Sequence, residues 1–303
     1  MHSITKTLRY FFGRLFKTTD IETRLARMQE ALGRIETRQL ASETNFFRNE
    51  FRVSSQWGED GLIQYLVRHV AVDRKVFVEF GTEDYRESNT RFLLTNNQWS
   101  GLLIDGSEAN INVIRKDDIY WQYNLKAVQA FITRDNINRL LTENGITGDI
   151  GLLSIDVDGN DYWIWKAIDA VRPAIVVVEY NYRFGKDRAV TIPYREDFVR
   201  TMHPSMIYFG ASLKAFWLLG KQKGYAFVGT NSTGLNAFFV RKDKLPAVLK
   251  EKSFDEDFTA GHYRGLFNDA GVLQFVSPEE EMQYLAQLPV VDVEKDFTDH
   301  APL

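Results

Sequence analysis

Val76-Phe77-Val78-Glu79-Phe80-Gly81, followed after a polar loop by Ser88-Asn89-Thr90, is an apolar run that stops on a carboxylate and a glycine. It then crosses into a helix capped by Ser88 or Asn89. In open α/β sheets ligands sit at the carboxyl ends of strands, so this ending predicts the wall of a nucleotide-like cofactor site. Three later runs finish the same way: Gly101-Leu102-Leu103-Ile104-Asp105, Leu152-Leu153-Ser154-Ile155-Asp156 and Ile175-Val176-Val177-Val178-Glu179. A single acidic strand end often does no more than cap the next helix. Four at one sheet edge point to a site.

The composition narrows the function classes. With 303 residues and 44% hydrophobic side chains the chain can bury a full core. A formal net charge of −4 and a pI near 5.8 carry no electrostatic footprint for nucleic acid, so no nucleic-acid partner is expected. The chain has no cysteine, which removes disulfides, thiolate nucleophiles and zinc-thiolate sites. Neither an apolar signal core nor a membrane-spanning run is visible, and the expected location is the cytoplasm.

Three regions are expected: an N-terminal amphipathic or coiled-coil arm over 1–50, a catalytic domain over 51–245 and a helical extension over 246–303. Residues 1–17 mix Lys6, Arg9, Arg14 and Lys17 with Tyr10, Phe11, Phe12 and Phe16. That mixture suits either peripheral contact with a membrane surface or docking of the aromatics on protein. Beyond it, Ile21, Leu25, Met28, Leu32 and Ile35 alternate spacings of four and three, an a/d seam under three heptads long. The seam predicts a homo-oligomer, or a helix folded back on the core, and Gly33 weakens it.

From Phe51 onward helices and strands alternate, with strands expected at 76–80, 101–105, 127–131, 151–156 and 174–179. Tyr225-Ala226-Phe227-Val228-Gly229 and Leu235-Asn236-Ala237-Phe238-Phe239-Val240 are separated by too short a link for a parallel crossover, so they must pair antiparallel. The expected fold is therefore α/β and Rossmann-like: the class I methyltransferase layout, a mostly parallel sheet with one reversed final strand, plus an N-terminal helical arm. The first loop lacks the G-x-G-x-x-G that a pyrophosphate needs and carries Glu83, Asp84 and Glu87 instead. Those charges would repel a pyrophosphate and tolerate a sulfonium, which favours S-adenosylmethionine over a nicotinamide cofactor.

Ser55-Gln56-Trp57-Gly58-Glu59-Asp60-Gly61, Phe77-Val78-Glu79-Phe80-Gly81, Ser88-Asn89-Thr90, Trp99-Ser100-Gly101-Leu102-Leu103-Ile104-Asp105 and Ile155-Asp156-Val157-Asp158-Gly159-Asn160-Asp161 together resemble the ordered motifs of FkbM-type S-adenosylmethionine-dependent methyltransferases. The resemblance spans about residues 51–181. It departs from the family pattern D-x-G-A-N-x-G at Glu79 and at Thr82-Glu83-Asp84, and it has Asp105 where Glu is common. Carried over residue by residue, it implies Glu79, Gly81 and Thr82 at the methionine end and Asp105 on the ribose hydroxyls. Gly106 and Ser107 would flank the adenine, Asp156 would border the cofactor, and Ser88 and Asn89 would supply polar contacts or helix caps.

The fourth and fifth strand ends carry a further reading. Asp156, Glu179 and Asn181 could converge as hard oxygen ligands for Mg²⁺, similar to cation-dependent catechol-type O-methyltransferases. Without a metal, Asp156 or Asp158 would take the proton from a hydroxyl acceptor, with His203 a second candidate base. Arg183, Phe184, Arg188, Tyr194 and Arg195, in the long segment after the fifth strand, suit a small-molecule or glycan acceptor. The expected activity is O-methylation of a sugar, glycan or natural-product precursor. The alternative is a noncatalytic sugar-binding or assembly module on the same fold.

Overall fold

The computed structural model describes residues 18–261, 265–268 and 270–295, so the basic and aromatic segment 1–17 lies outside the described residues. The chain divides into two compact units, the first ending at Ser42 and the second beginning at Glu43. In the first, helix α1 (Thr18–Gln39) runs unbroken through Gly33 and ends in a 3-10 turn at Leu40–Ser42. A helical glycine costs about 1 kcal/mol relative to alanine, too little to break a helix of this length.

The second unit begins with α2 (Glu59–His69), β1 (Val76–Phe80), α3 (Arg91–Asn97), β2 (Ser100–Asp105), α4 (Glu108–Lys116), α5 (Asp118–Gln122) and β3 (Leu125–Gln129). It continues through α6 (Ile137–Glu143), β4 (Gly148–Ile155), α7 (Asp161–Ala167), β5 (Val171–Glu179), β6 (Val190–Thr191), α8 (Leu213–Gln222), β7 (Tyr225–Thr230) and β8 (Asn236–Arg241). The seven-stranded sheet has the order β3-β2-β1-β4-β5-β8-β7. Strands β1 to β5 are mutually parallel, and β8 runs antiparallel to both β5 and β7. This is the Rossmann-like class I methyltransferase fold, as the β7–β8 link required.

The central strands read as continuous apolar runs because both faces are covered. Val78, Phe80, Leu153, Ile155, Val176 and Val178 face one core, while Phe77, Leu103, Leu152, Ile175 and Val177 face the other. Strand β1 lies between β2 and β4, so the crossovers leave it in opposite directions. A crevice opens at this switch point beyond the carboxyl ends of β1 and β4.

The segment after 246 is not the helical extension expected. Its described residues hold one α-helix, α9 (Pro278–Ala286), the short pair β9 (Leu266–Phe267) with β10 (Leu273–Gln274), and β11 (Val291–Asp292) on β6. Pro246, Pro278 and Pro289 and the turn at Gly271 interrupt any longer helix. Leu266 and Leu285 join Phe184, Val190, Ile192, Phe198, Ile207 and Phe209 in a third core, so this lobe backs the insertion between β5 and α8.

Candidate active site

The switch point is built around backbone contacts that leave no room for side chains. Gly81 has φ +66°, and a Cβ there would come within 1.7 Å of the Asp156 carbonyl oxygen. Its N–H donates to the Ile104 carbonyl at 3.1 Å, drawing the ends of β1, β2 and β4 together. Next along, Glu83 N donates to Asp105 Oδ2 at 2.9 Å. The other oxygen of Asp105 accepts from Ser107 N at 2.7 Å and, more weakly, from Asn110 Nδ2 at 3.3 Å. Three donors therefore use three of a carboxylate's roughly four acceptor sites.

Glu79 is buried and accepts from Ser88 Oγ and Asn89 N, both at 2.9 Å, and from the N–H and hydroxyl of Thr90. Burial raises its pKa, and these four donors oppose the rise. Glu79 thus gathers the turn that precedes α3, which is why the helix starts at Arg91. Upstream, Asp60 Oδ2 accepts from Val53 N, Ser54 N, Ser55 N and Ser55 Oγ, each at 2.7 Å. Glu59 Oε1 accepts from Asn231 Nδ2 at 2.7 Å and Asn236 Nδ2 at 2.8 Å, tying α2 to the β7–β8 turn. Gly61 has no space for a Cβ, which would lie 1.9 Å from the Asn49 carbonyl oxygen. The Ser55–Gly61 motif is therefore a clamp that places Gln56 at the mouth of the crevice.

Beyond β4 and β5, one oxygen each from Asp156, Asp158 and Glu179 lies within 4.8 Å of the others. Burial, then the neighbouring carboxylates, pushes Asp156 well above the usual carboxylate range, and Glu179 to about 8. Their oxygens lie close together in a buried site, so near neutrality the pair retains a proton. Asp161 holds the intervening turn by accepting from Val157 N at 2.7 Å and Gly159 N at 3.0 Å. Arg200, on the insertion, supplies the local cation. Its Nη1 meets Asp158 Oδ1 at 3.3 Å, its Nε donates to the Met206 carbonyl at 2.7 Å, and its guanidinium lies 4.2 Å from the Phe209 ring centroid.

Two cavities share this centre. The larger, about 420 Å³, runs from Asp105, Gly106, Ile104, Phe131 and Ile132 to Asp156, Asp158, Phe198 and Arg200. The smaller, about 210 Å³, is lined by Gln56, Glu79, Ser88, Asn89, Glu179 and Asn236. Gly81, Glu83, Asp156, Asp158 and Arg200 border both. The structure therefore brings together Glu79, Gly81, Ser88, Asn89, Asp105, Gly106, Asp156, Asp158 and Glu179.

Four other sequence candidates stand apart. Asn181 does not join the carboxylates: its Nδ2 donates to the Ile207 and Phe209 carbonyls at 2.8 and 3.0 Å, and its Oδ1 caps Arg183 N. His203, which burial makes less basic, engages Ser205 Oγ through Nδ1 at 2.7 Å and lines neither cavity. Ser107 caps α4, and Thr82 is buried in the loop; neither borders a cavity. Sequence reasoning missed Phe131, Ile132 and Arg200. The first two follow β3 at the sheet edge, a placement the strand pattern could have signalled, whereas nothing local marks Arg200.

No family model matches the sequence, and no curated protein matches it. Among solved structures, a S-adenosylmethionine-dependent methyltransferase from Clostridium acetobutylicum ATCC 824 is 10% identical. That match covers 60% of this chain and 89% of that one, with a TM-score of 0.38. The N-terminal domain of EvdMO1, solved in the presence of SAH and D-fucose, is 11% identical over 68% of this chain and 94% of that one, at 0.38. M. capricolum TrmK, in complex with S-adenosyl-homocysteine, is 10% identical over 71% and 77%, at 0.33. Likenesses this remote carry no argument about activity. The fold rests on the strand order itself.

Proposed function

We propose that the chain is a S-adenosylmethionine-dependent methyltransferase that methylates a hydroxyl oxygen of a sugar, glycan or natural-product precursor. The observation that carries this reading is the pairing, across one switch point, of Asp105 beside an apolar wall with an anionic centre at Asp156, Asp158 and Glu179. Asp105 has one acceptor site left for a ribose hydroxyl, and a second hydroxyl would displace Asn110, its longest donor. Ile104, Phe131 and Ile132 would enclose the adenine. The sulfonium would then face the carboxylates, which favour a cation and disfavour a pyrophosphate.

In the reaction the acceptor oxygen attacks the methyl carbon in line, the carbon–sulfur bond breaks, and its electron pair remains on sulfur. The hydroxyl proton passes to Asp158, or to Asp156 while Glu179 carries the proton of that pair; both aspartates border both cavities. Positioning supplies most of the acceleration. By donor chemistry the three carboxylates also fit a hard divalent cation such as Mg²⁺, which would acidify the hydroxyl; Asp156, Asp158 and Glu179 would hold it, without Asn181. Arg200 already competes for Asp158.

The test is transfer of a labelled methyl group from S-adenosylmethionine to a panel of sugars and hydroxylated small molecules, with and without Mg²⁺. Label in an acceptor, reduced at least a hundredfold in Asp156→Asn, supports the reading. No transfer by a protein that binds the cofactor would leave the O-methylation assignment unsupported and shift attention to other acceptor atoms.

A further inference from the structure

We propose that α1 is a self-assembly element, pairing in parallel and in register with α1 of other copies of this chain, four helices to a bundle. Ile21, Leu25, Met28, Leu32 and Ile35 lie on one stripe of the helix and are each between 46 and 61% exposed. Single exposed apolar side chains are ordinary, but five at alternating spacings of four and three form a seam. The spacing fixes the heptad: Leu25 and Leu32 fall at a, and Ile21, Met28 and Ile35 fall at d.

Charge and core shape choose the partner geometry. Arg24 and Arg38 occupy the g flank, while Gln29 and Glu36 occupy the e flank. A parallel bundle sets the g flank of each helix against the e flank of its neighbour, bringing basic against acidic. An antiparallel one sets each flank against its own kind. Leucine at a with isoleucine at d favours four strands over two. A stripe this short is marginal as a pair, and a four-helix core buries more of each helix. Basic charge on one flank and acidic charge on the other suit a protein partner better than an anionic lipid surface, which selects a wholly basic polar face.

The absence of cysteine makes the geometry directly testable. In Leu25→Cys, a parallel in-register bundle places like residues together, whereas an antiparallel one sets a positions against d positions, so that Leu25 faces Met28 or Ile35 of its neighbour. The full chain is oxidised at low concentration, with Arg27→Cys as a control on the outer face, and its mass is measured by light scattering. The expected result is four times the 35.1 kDa chain mass, efficient crosslinking of Leu25→Cys, little of Arg27→Cys, and monomer in Leu25→Lys with unchanged melting of the second unit. A monomeric parent, or crosslinking no better than the control, would overturn the proposal. A native mass of two or three chains would overturn the four-stranded order. Seam-dependent binding of a monomer to phosphatidylserine vesicles would assign the seam to membranes instead.

Discussion

Gly81 is doubly constrained, by a left-handed backbone and by the Asp156 carbonyl 1.7 Å from any added Cβ. Gly81→Ala is expected to separate β1 from β4 and reduce adenosyl-ligand affinity at least tenfold, measurable by calorimetry. Asp60 is a structural counterpart. Asp60→Ala would orphan three backbone N–H groups and cost roughly 3 kcal/mol, seen as a fall in the urea midpoint at unchanged m. Glu179 binds its proton more tightly when folded, near pH 8, than its ordinary value of 4.5. Its contribution to stability is therefore fully present below about pH 4.5 and is lost as pH rises towards 8. Glu179→Gln should melt increasingly above the parent between pH 5 and 8.5; a constant difference across that range would contradict the placement. At this scale the sequence revealed the acidic strand ends but not their partners. Asp156, Asp158 and Glu179 were readable as candidates, whereas Arg200 reaches Asp158 from 42 positions away through a turn with no periodic signal. Asn181 looked like a ligand because its neighbours are acidic, but the adjoining backbone carbonyls claim its amide.

Among the elements, the strands were the most legible, because apolar runs covered on both faces leave little choice of structure. The insertion after β5 was not, since its order comes from long-range packing. Arg183 and Glu281 pair at 2.8 Å with side chains only 3 and 4% exposed, fastening the insertion to α9. Removing one partner strands a buried charge. Glu281→Ala should lose about 3–5 kcal/mol, and Arg183→Met with Glu281→Leu should recover much of it, as read by chemical denaturation. The two-residue strands β6 and β11 are too short to register as a sequence pattern, which is why the C-terminal lobe was expected to be helical.

Across the whole molecule, the antiparallel β7–β8 pair and the crevice between β1 and β4 follow from chain length, link length and apolar runs, and these were readable from residues alone. The acceptor was not, because it depends on where the insertion sets Phe198 and Arg200 against the sheet edge. Among the described residues no helix is long and apolar enough to cross a membrane. The claim on which the mechanism rests is that the crevice takes an adenosyl sulfonium cofactor through Asp105. Calorimetric titration of the protein and of Asp105→Ala with S-adenosylhomocysteine, with and without Mg²⁺ and beside NADH, tests it most directly. Micromolar binding that Asp105→Ala weakens at least tenfold, with no heat from NADH, is the predicted result; no binding of the adenosyl ligand under any condition would contradict it and favour a noncatalytic module on this fold.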